Sequence, residues 1–258
     1  MSTLVMQPSH MAVRYLRALW RQPWYLAMQL FQPLIWLLLF GQLFQSVTRL
    51  PGFGSGSYLG YLTPGVLVMS SLFANGWSGT SYIVDMERGV LDRLLVAPAR
   101  RTTFLLGQQA YYALLTAIQS AILLLVALLA GARFHGGLPS ILALVAAAVL
   151  LGLSMACLSN AMALRLRQQE TVIAANVFLV LPLCFLSSLF LPSQLLPKWI
   201  QVVASFNPVN WAVEAGRQSL NAGVDWGLVL SRLGLLALLA LVLGWWAVRS
   251  FRAYQRSV

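Results

Sequence analysis

The chain has 258 residues, of which 59% are hydrophobic and 9% charged, whereas about 25% of the residues of a typical soluble domain are charged. Seventeen Lys and Arg against six Asp and Glu give a net charge of +11, and the basic residues stand in short blocks between long apolar runs. This pattern indicates a membrane protein rather than a nucleic-acid-binding one, and it excludes a soluble enzyme, a disordered tail and a secreted disulfide scaffold.

The amino-terminal tail precedes the first long apolar run. Arg14, Arg17 and Arg21 share one face of a helical wheel, and Pro23 ends the pattern. We predict a short interfacial helix that lies in the headgroup layer, with a simple basic anchor as the alternative. The apolar run that follows is too long for the core of a cleaved signal peptide.

Six uncharged or nearly uncharged runs are long enough to cross a bilayer, which takes about 20 helical residues. They cover residues 24–48, 58–84, 102–132, 134–164, 171–191 and 226–248. The turn-rich segment Pro51–Ser57 separates the first two. The sequence therefore predicts an all-α integral membrane protein that consists of one transmembrane domain with six spans.

The basic residues predict how the spans are oriented. Twelve arginines fall in the amino-terminal tail, the loops after spans two and four and the carboxyl-terminal tail, against five basic residues on the other side. By the positive-inside rule, both termini lie in the cytoplasm of a multi-pass membrane protein.

Several functional motifs are missing. The single lysine, Lys198, stands between Pro197 and Trp199, so the chain has no Gly-Lys-Ser/Thr loop for nucleotide phosphates. All six acidic residues fall in loops or at span ends, which argues against a carrier driven by protons or sodium. The amides within the spans are expected to form hydrogen bonds between helices.

Two loops carry information. In Asp85–Arg101, apolar residues recur at helical spacing among charges of both signs, which predicts a short amphipathic helix that docks onto a soluble partner. A surface loop whose charges neutralise each other is the alternative. The outer segment Pro192–Asp225 is apolar and is divided at Pro197 and at Asn207-Pro208. It predicts a re-entrant hairpin of two short helices before the last span, or else an interfacial helix that caps the bundle.

Within that segment, Glu214 is a candidate partner for Arg232. Arg232 lies about six residues inside the outer end of the last span, roughly 9 Å along the helix. We predict that Glu214 faces the bundle and pairs with Arg232. The alternatives are local pairing of Glu214 with Arg217 and snorkelling of Arg232 to the interface.

Short motifs along the chain occur in an order that is typical of one family. They are Tyr61–Gly65, Glu87–Leu94 with Pro98, Phe104–Gly107, Leu181–Pro192, Leu196–Gln201, Phe206–Pro208 and Glu214–Arg217. Together they resemble the type-2 ABC exporter permeases, above all the daunorubicin-resistance and nodulation-type export permeases. The resemblance covers the whole chain, and its carboxyl-terminal block is the most specific part. Where the family usually has Glu, this chain has Asp92, which keeps the charge.

The resemblance implies a permease domain without a nucleotide-binding domain, and without catalytic, cofactor or metal residues of its own. Such a permease pairs with a second permease subunit, as a homodimer rather than a heterodimer, and with two ABC ATPase subunits that bind ATP and Mg. It would export a drug-like, amphipathic or lipid-linked glycan substrate across the bacterial cytoplasmic (inner) membrane. Membrane lipid is a further expected partner, and no nucleic acid is expected to bind.

The resemblance also assigns roles to residues. The ATPase-coupling loop would use Asp85, Glu87, Arg88, Gly89, Leu91, Asp92, Arg93, Pro98, Arg100 and Arg101. The hairpin that gates the exit would use Pro192, Pro197, Trp199, Asn207, Pro208, Glu214 and Arg217.

Four aromatic residues within the spans are candidates for the substrate path, with ordinary packing as the alternative: Phe73, Trp77, Phe178 and Phe185. Two other functions stay open. A membrane-embedded lipid-modifying transferase would have to rely on Glu214, Asp225 and His135 of the outer loops. A non-catalytic assembly or channel protein needs no such residues.

Overall fold

The computed structural model describes residues 23–46, 57–88, 101–134, 136–221 and 223–255. These residues form helices joined by short turns, with no β-strand among them, so the all-α prediction is confirmed. Among these residues, three helices are long and apolar enough to cross a bilayer: Leu106–Leu129, Leu138–Leu166 and Trp226–Phe251. The chain is a multi-pass membrane protein.

The first described helix changes its winding part of the way along. Helix α1 (Pro23–Ile35) continues through a π-helical turn (Trp36–Phe40) into a last turn, Gly41–Leu43. Pro33 lies inside α1 and removes one backbone donor from the helix shortly before the wider turn. The predicted span 24–48 is therefore helical as far as Leu43, and the predicted interfacial helix before Pro23 lies outside the described residues.

The second predicted span, 58–84, forms two helices. Helix α2 (Tyr58–Gly76) is followed at Trp77 by a break and then by α3 (Ser78–Glu87). The Ser57 hydroxyl accepts a hydrogen bond from Gly60 N at 3.1 Å and so caps the start of α2.

Two long helices follow. Helices α4 (Arg101–Leu129) and α5 (Leu138–Leu166) match the third and fourth predicted spans to within a few residues. The turn between them contains Gly131 with φ +96°, a left-handed conformation that glycine adopts without a steric penalty.

The fifth predicted span, 171–191, is helical only in part. Helix α6 (Gln169–Phe185) ends early, and a non-helical segment, Leu186–Pro192, leads to a 3-10 turn at Ser193–Leu195. Two short helices follow, α7 (Lys198–Phe206) and α8 (Pro208–Leu220), which we call the hairpin for brevity, while a re-entrant course through the membrane stays a prediction. The predicted divisions at Pro197 and at Asn207-Pro208 are confirmed.

The chain continues into α9 (Trp226–Gln255), and α5 lies at the centre of the bundle. Helix α5 packs against α2, α3, α4, α8 and α9. Its buried face is rich in small residues, which allow these helices to approach closely. The small residues on this face are Ala143, Ala147, Ala148, Gly152, Ala156 and Ala161. We call the end of the bundle beside the hairpin the hairpin end, and the end where α3, α5 and α9 terminate the basic end.

Candidate functional site

The non-helical segment Leu186–Pro192 is held by side chains from other elements. Tyr61 Oη donates a hydrogen bond to Ser188 O at 3.2 Å, and Tyr58 Oη donates one to Phe190 O at 3.2 Å. Both tyrosines stand in the first turn of α2. Backbone that leaves its helix inside a membrane protein needs such partners because lipid offers none.

Arg217, in the last turn of α8, is the main donor to this segment. Its Nη1 donates to Ser188 O at 2.6 Å, and its Nη2 donates to Leu189 O at 2.7 Å. Its Nε donates to Tyr61 O at 3.3 Å, and the guanidinium lies over the Tyr61 ring with Cζ 3.6 Å from the ring centroid. One side chain thus joins α2, α8 and the non-helical segment.

Asn207, buried between α7 and α8, fixes the hairpin to the end of α6. Its Nδ2 donates to Leu183 O at 2.7 Å and to Leu186 O at 2.9 Å. Its Oδ1 accepts from Val209 N at 2.9 Å and so caps α8. The same amide therefore satisfies carbonyls at the end of one helix and starts another.

A chain of polar contacts runs from this segment to the last helix. Asn210 Oδ1 accepts from Ser188 N at 3.0 Å and from its hydroxyl at 2.6 Å. Asn210 Nδ2 donates to Glu214 Oε1 at 2.8 Å, and Glu214 Oε2 lies 3.0 Å from Arg232 Nη2. The predicted pairing of Glu214 with Arg232 is confirmed.

The other four gate candidates shape the hairpin backbone. Pro192 is buried and ends the non-helical segment, while Pro197 precedes α7. Pro208 occupies the first position of α8, where its missing N–H costs no hydrogen bond. Trp199 is exposed on α7. These positions explain the shape of the hairpin, and a gating role for them stays a prediction.

A second polar cluster surrounds the break between α2 and α3. Gly76 O accepts from Ser159 Oγ of α5 and from Asn176 Nδ2 of α6, each at 2.5 Å. Gly79 N, on the other side of the break, donates to Ser159 Oγ at 3.1 Å. The hydrogen bonding between helices predicted for span amides is confirmed at four positions, Asn75, Gln119, Asn160 and Asn176. It is wrong for Gln109, whose buried amide has no hydrogen-bond partner among the described residues.

A cavity of about 150 Å³ lies between α1 and α2. Two of the four candidates for the substrate path, Phe73 and Trp77, are part of its wall, together with Trp36 and the amides Gln29 and Gln32. A mainly apolar and aromatic wall with a few amides suits an amphipathic molecule.

The other two path candidates lie outside this cavity. Phe178 and Phe185 stand on α6 with 80% and 61% of their surface exposed. Trp24 and Phe31 of α1 are also exposed. The single chain therefore presents large aromatic side chains on two helices, which lipid or another protein has to cover.

The predicted coupling loop is described only at its two ends. Asp85 lies in α3, the exposed Glu87 ends that helix, and the exposed Arg88 follows it. Arg101 begins α4. The other predicted loop residues lie outside the described ranges: Gly89, Leu91, Asp92, Arg93, Pro98 and Arg100. The coupling role of the loop stays a prediction.

The acidic residues and histidines do not form a catalytic or metal-binding group in the described part of the chain. Within the described ranges, no three His, Cys, Asp or Glu side chains gather closely enough to hold a metal ion. Of the three residues that a transferase would have to use, Glu214 is engaged with Asn210 and Arg232. Asp225 caps α9 by accepting from Gly227 N at 3.0 Å, and His135 lies outside the description.

Comparison with known proteins shows similarity along most of the chain. The family model of the ABC-2 type transporter matches residues 6–221. The transport permease ycf38 of Pyropia yezoensis is 30% identical over 226 residues, which cover 87% of this chain and 77% of that protein. Its counterpart in Porphyra purpurea is 32% identical over 209 residues, covering 80% and 71%. The daunorubicin resistance ABC transporter permease protein DrrB1 of Streptomyces coeruleorubidus is 29% identical over 212 residues, covering 81% and 74%.

Proposed function

The chain belongs to the ABC-2 type transporter family, and we propose that it is the membrane-spanning permease subunit of an ABC exporter. It moves an amphipathic substrate, either drug-like or a lipid-linked glycan, outward across the bacterial cytoplasmic membrane. The match of the family model over residues 6–221 carries this proposal. The name of DrrB1, a daunorubicin resistance permease, supports the drug-like class.

In this proposal the energy comes from two separate ABC ATPase subunits, which bind ATP and Mg. The absence of a Gly-Lys-Ser/Thr sequence supports a permease without a nucleotide site of its own. The second permease subunit is another copy of this chain. The exposed aromatic side chains on α1 and α6 give that copy an apolar surface to pack against.

The proposed orientation places both termini and the basic end in the cytoplasm and the hairpin outside. The excess of arginines in the tails and in the loops at the basic end supports it. The hairpin then stands where a substrate would leave the bundle.

The hairpin serves as the exit gate. Arg217 attaches α8 to α2 and to Leu186–Pro192, and Glu214 attaches it to α9. A movement of α2 or α9 therefore pulls on the hairpin through directed polar contacts, which are more position-specific than apolar packing.

The path and the coupling loop share one stretch of chain. Helix α2 lines the cavity through Phe73, and it continues past the break at Trp77 into α3. Helix α3 leads directly into the loop that docks on the ATPase. When ATP hydrolysis displaces the loop, α3 moves with it, and this movement reaches the cavity wall in α2 through the short break at Trp77.

The experiment is to purify the tagged chain from membranes of its own cell in mild detergent and to identify co-purifying ABC ATPases by mass spectrometry. The complex is then reconstituted in proteoliposomes, and ATP hydrolysis is measured with and without amphipathic drugs. We expect the double variant Glu87→Lys with Asp92→Lys to lose substrate-stimulated hydrolysis at least about tenfold, because interface charges typically contribute ~1–3 kcal/mol each.

The matched control is Glu170→Lys, which reverses an exposed acid at the start of α6, at the same end of the bundle but outside the loop. It should leave stimulated hydrolysis within twofold of the wild type, a range that corresponds to less than about 0.5 kcal/mol. If no ABC ATPase accompanies the chain, the permease proposal fails. If the complex forms and both substitutions act equally, only the assignment of the coupling loop fails.

A further inference from the structure

Two arginines at the basic end stack on neighbouring tryptophans of α9. Arg165, in the last turn of α5, lies with Cζ 5.1 Å from the Trp246 ring centroid. Arg249 lies with Cζ 5.4 Å from the Trp245 ring centroid. The attraction between a guanidinium and an aromatic ring face uses none of the hydrogen-bonding capacity of the N–H groups, which stay available to an acceptor.

The N–H groups of both arginines are unpaired within the described part of the chain. Among the residues that the structure describes, neither Arg165 nor Arg249 donates a hydrogen bond or pairs with a carboxylate, and both are exposed. The two positive charges thus lie over consecutive tryptophans of α9, one carried by the last turn of α5 and one by α9 itself. Planar forks of this kind match the oxygen atoms of a phosphate group.

An apolar stripe on α9 leads up to this pair of charges. Leu238, Leu241, Val242 and Trp245 are 58%, 71%, 54% and 63% exposed. Their spacing of three and four residues places them on one helix face, and Arg249 follows four residues after Trp245 on that face. A molecule with a hydrocarbon chain and a phosphate group would contact both the apolar stripe and the guanidiniums. A soluble phosphate would contact the guanidiniums alone.

We propose that the basic ends of α5 and α9 form a binding site for one anionic phospholipid. Arg165 and Arg249 bind its headgroup phosphate, and the stripe from Leu238 to Trp245 receives an acyl chain. A zwitterionic lipid fits less well, since its ammonium group would face two guanidiniums. The site follows from the contacts of this chain alone and does not depend on which substrate is transported.

The test is native mass spectrometry of the purified full chain in detergent, titrated with phosphatidylglycerol or phosphatidylcholine. We expect the first phosphatidylglycerol to bind at least about tenfold more tightly than the first phosphatidylcholine. The double variant Arg165→Gln with Arg249→Gln should weaken the binding of phosphatidylglycerol about thirtyfold, roughly fivefold per guanidinium. The control Arg133→Gln removes an exposed arginine at the hairpin end and should leave this affinity unchanged.

Further variants distinguish the lipid from other occupants. Arg165→Lys with Arg249→Lys keeps the charge and should retain part of the preference, which excludes misfolding as the cause of a loss. Glycerol phosphate at millimolar concentration should not displace the lipid. The proposal is overturned if wild type binds both lipids equally, if the control loses as much affinity as the double variant, or if glycerol phosphate competes. It is also overturned if the double variant changes the number of chains per complex and not the bound lipid, because this face would then join two copies of the chain.

Discussion

Glu214 Oε2 lies 3.0 Å from Arg232 Nη2, so a carboxylate of the hairpin holds a guanidinium of the last membrane helix. The other oxygen of Glu214 accepts from Asn210, which in turn accepts two hydrogen bonds from Ser188. Because both charged side chains are partly exposed, solvent and lipid headgroups weaken their attraction. The pair therefore acts mainly by fixing where α8 lies against α9.

Reversing the two charges together should preserve this contact. We expect Glu214→Arg and Arg232→Glu each to lower export and thermal stability, because each places like charges side by side. The double variant should recover most of both, with a coupling energy of about 1 kcal/mol. Stability is measured with a thiol-reactive dye, since the two cysteines, Cys157 and Cys184, are buried and free.

The control for that experiment is Arg133→Glu, a charge reversal at the same end without an ion-pair partner among the described residues. Combined with Glu214→Arg, it should show no recovery. A double swap of Glu214 and Arg232 that behaves no better than the worse single variant would contradict the role given to the pair.

Arg217 should contribute more to stability than the ion pair, because it donates to two backbone carbonyls of the non-helical segment, Ser188 O and Leu189 O, and to Tyr61 O of α2. We expect Arg217→Ala to destabilise the protein by about 3 kcal/mol, which lowers the unfolding midpoint by roughly 6–12 °C. Arg217→Lys keeps the charge but not the planar fork, so it should lose about half as much.

Gln218, the next residue, provides a matched comparison. Its side chain makes one exposed hydrogen bond, accepted from Asn221 at 3.3 Å. Gln218→Ala should shift the midpoint by less than about 2 °C. Equal midpoints for Arg217→Ala and Gln218→Ala would show that water or lipid replaces the guanidinium at no cost.

Local chemistry in the sequence was sufficient for part of this structure. Pro197 and Asn207-Pro208 interrupt a helix through their own backbone chemistry, whatever the surrounding structure is. The two breaks in this segment were therefore predictable. The pairing of Glu214 with Arg232 was also predictable, because a cation inside a span needs a nearby partner.

Long-range contacts determine what the sequence did not reveal. The residues around Trp77 carry neither charge nor proline, and the break there is held by Ser159 and Asn176 from other helices. Helix α6 stops at Phe185 although no charged residue or proline follows before Pro192, since Asn207 donates to the carbonyls of Leu183 and Leu186. Arg217 had only Glu214 as a visible neighbour, whereas its stacking partner Tyr61 lies far away in the sequence.

Asn207 has two roles that substitution can separate. Asn207→Ser should keep the cap on Val209 N but lose the donors to Leu183 O and Leu186 O, whereas Asn207→Ala loses both. We expect a loss of about 2 kcal/mol for serine and about 1 kcal/mol more for alanine, the usual value of an N-cap. The dye-based unfolding midpoint measures both. A serine variant as stable as wild type would mean that the carbonyls of α6 find other donors.

The last prediction concerns how closely α3 approaches α5. A Cβ added at Gly79 would collide with the carbonyl oxygen of Ser159, which is backbone and cannot turn away. We therefore expect Gly79→Ala to cost about 1–3 kcal/mol and so to lower the unfolding midpoint by several degrees. It should also reduce export, because α3 leads into the proposed coupling loop. Gly234 of α9 is the control, since a Cβ there meets no atom within 4 Å. Gly234→Ala should leave export unchanged and raise stability by up to about 1 kcal/mol, because alanine favours a helix over glycine. If both alanine variants behave alike, the contact between α3 and α5 at Gly79 does not limit the fold.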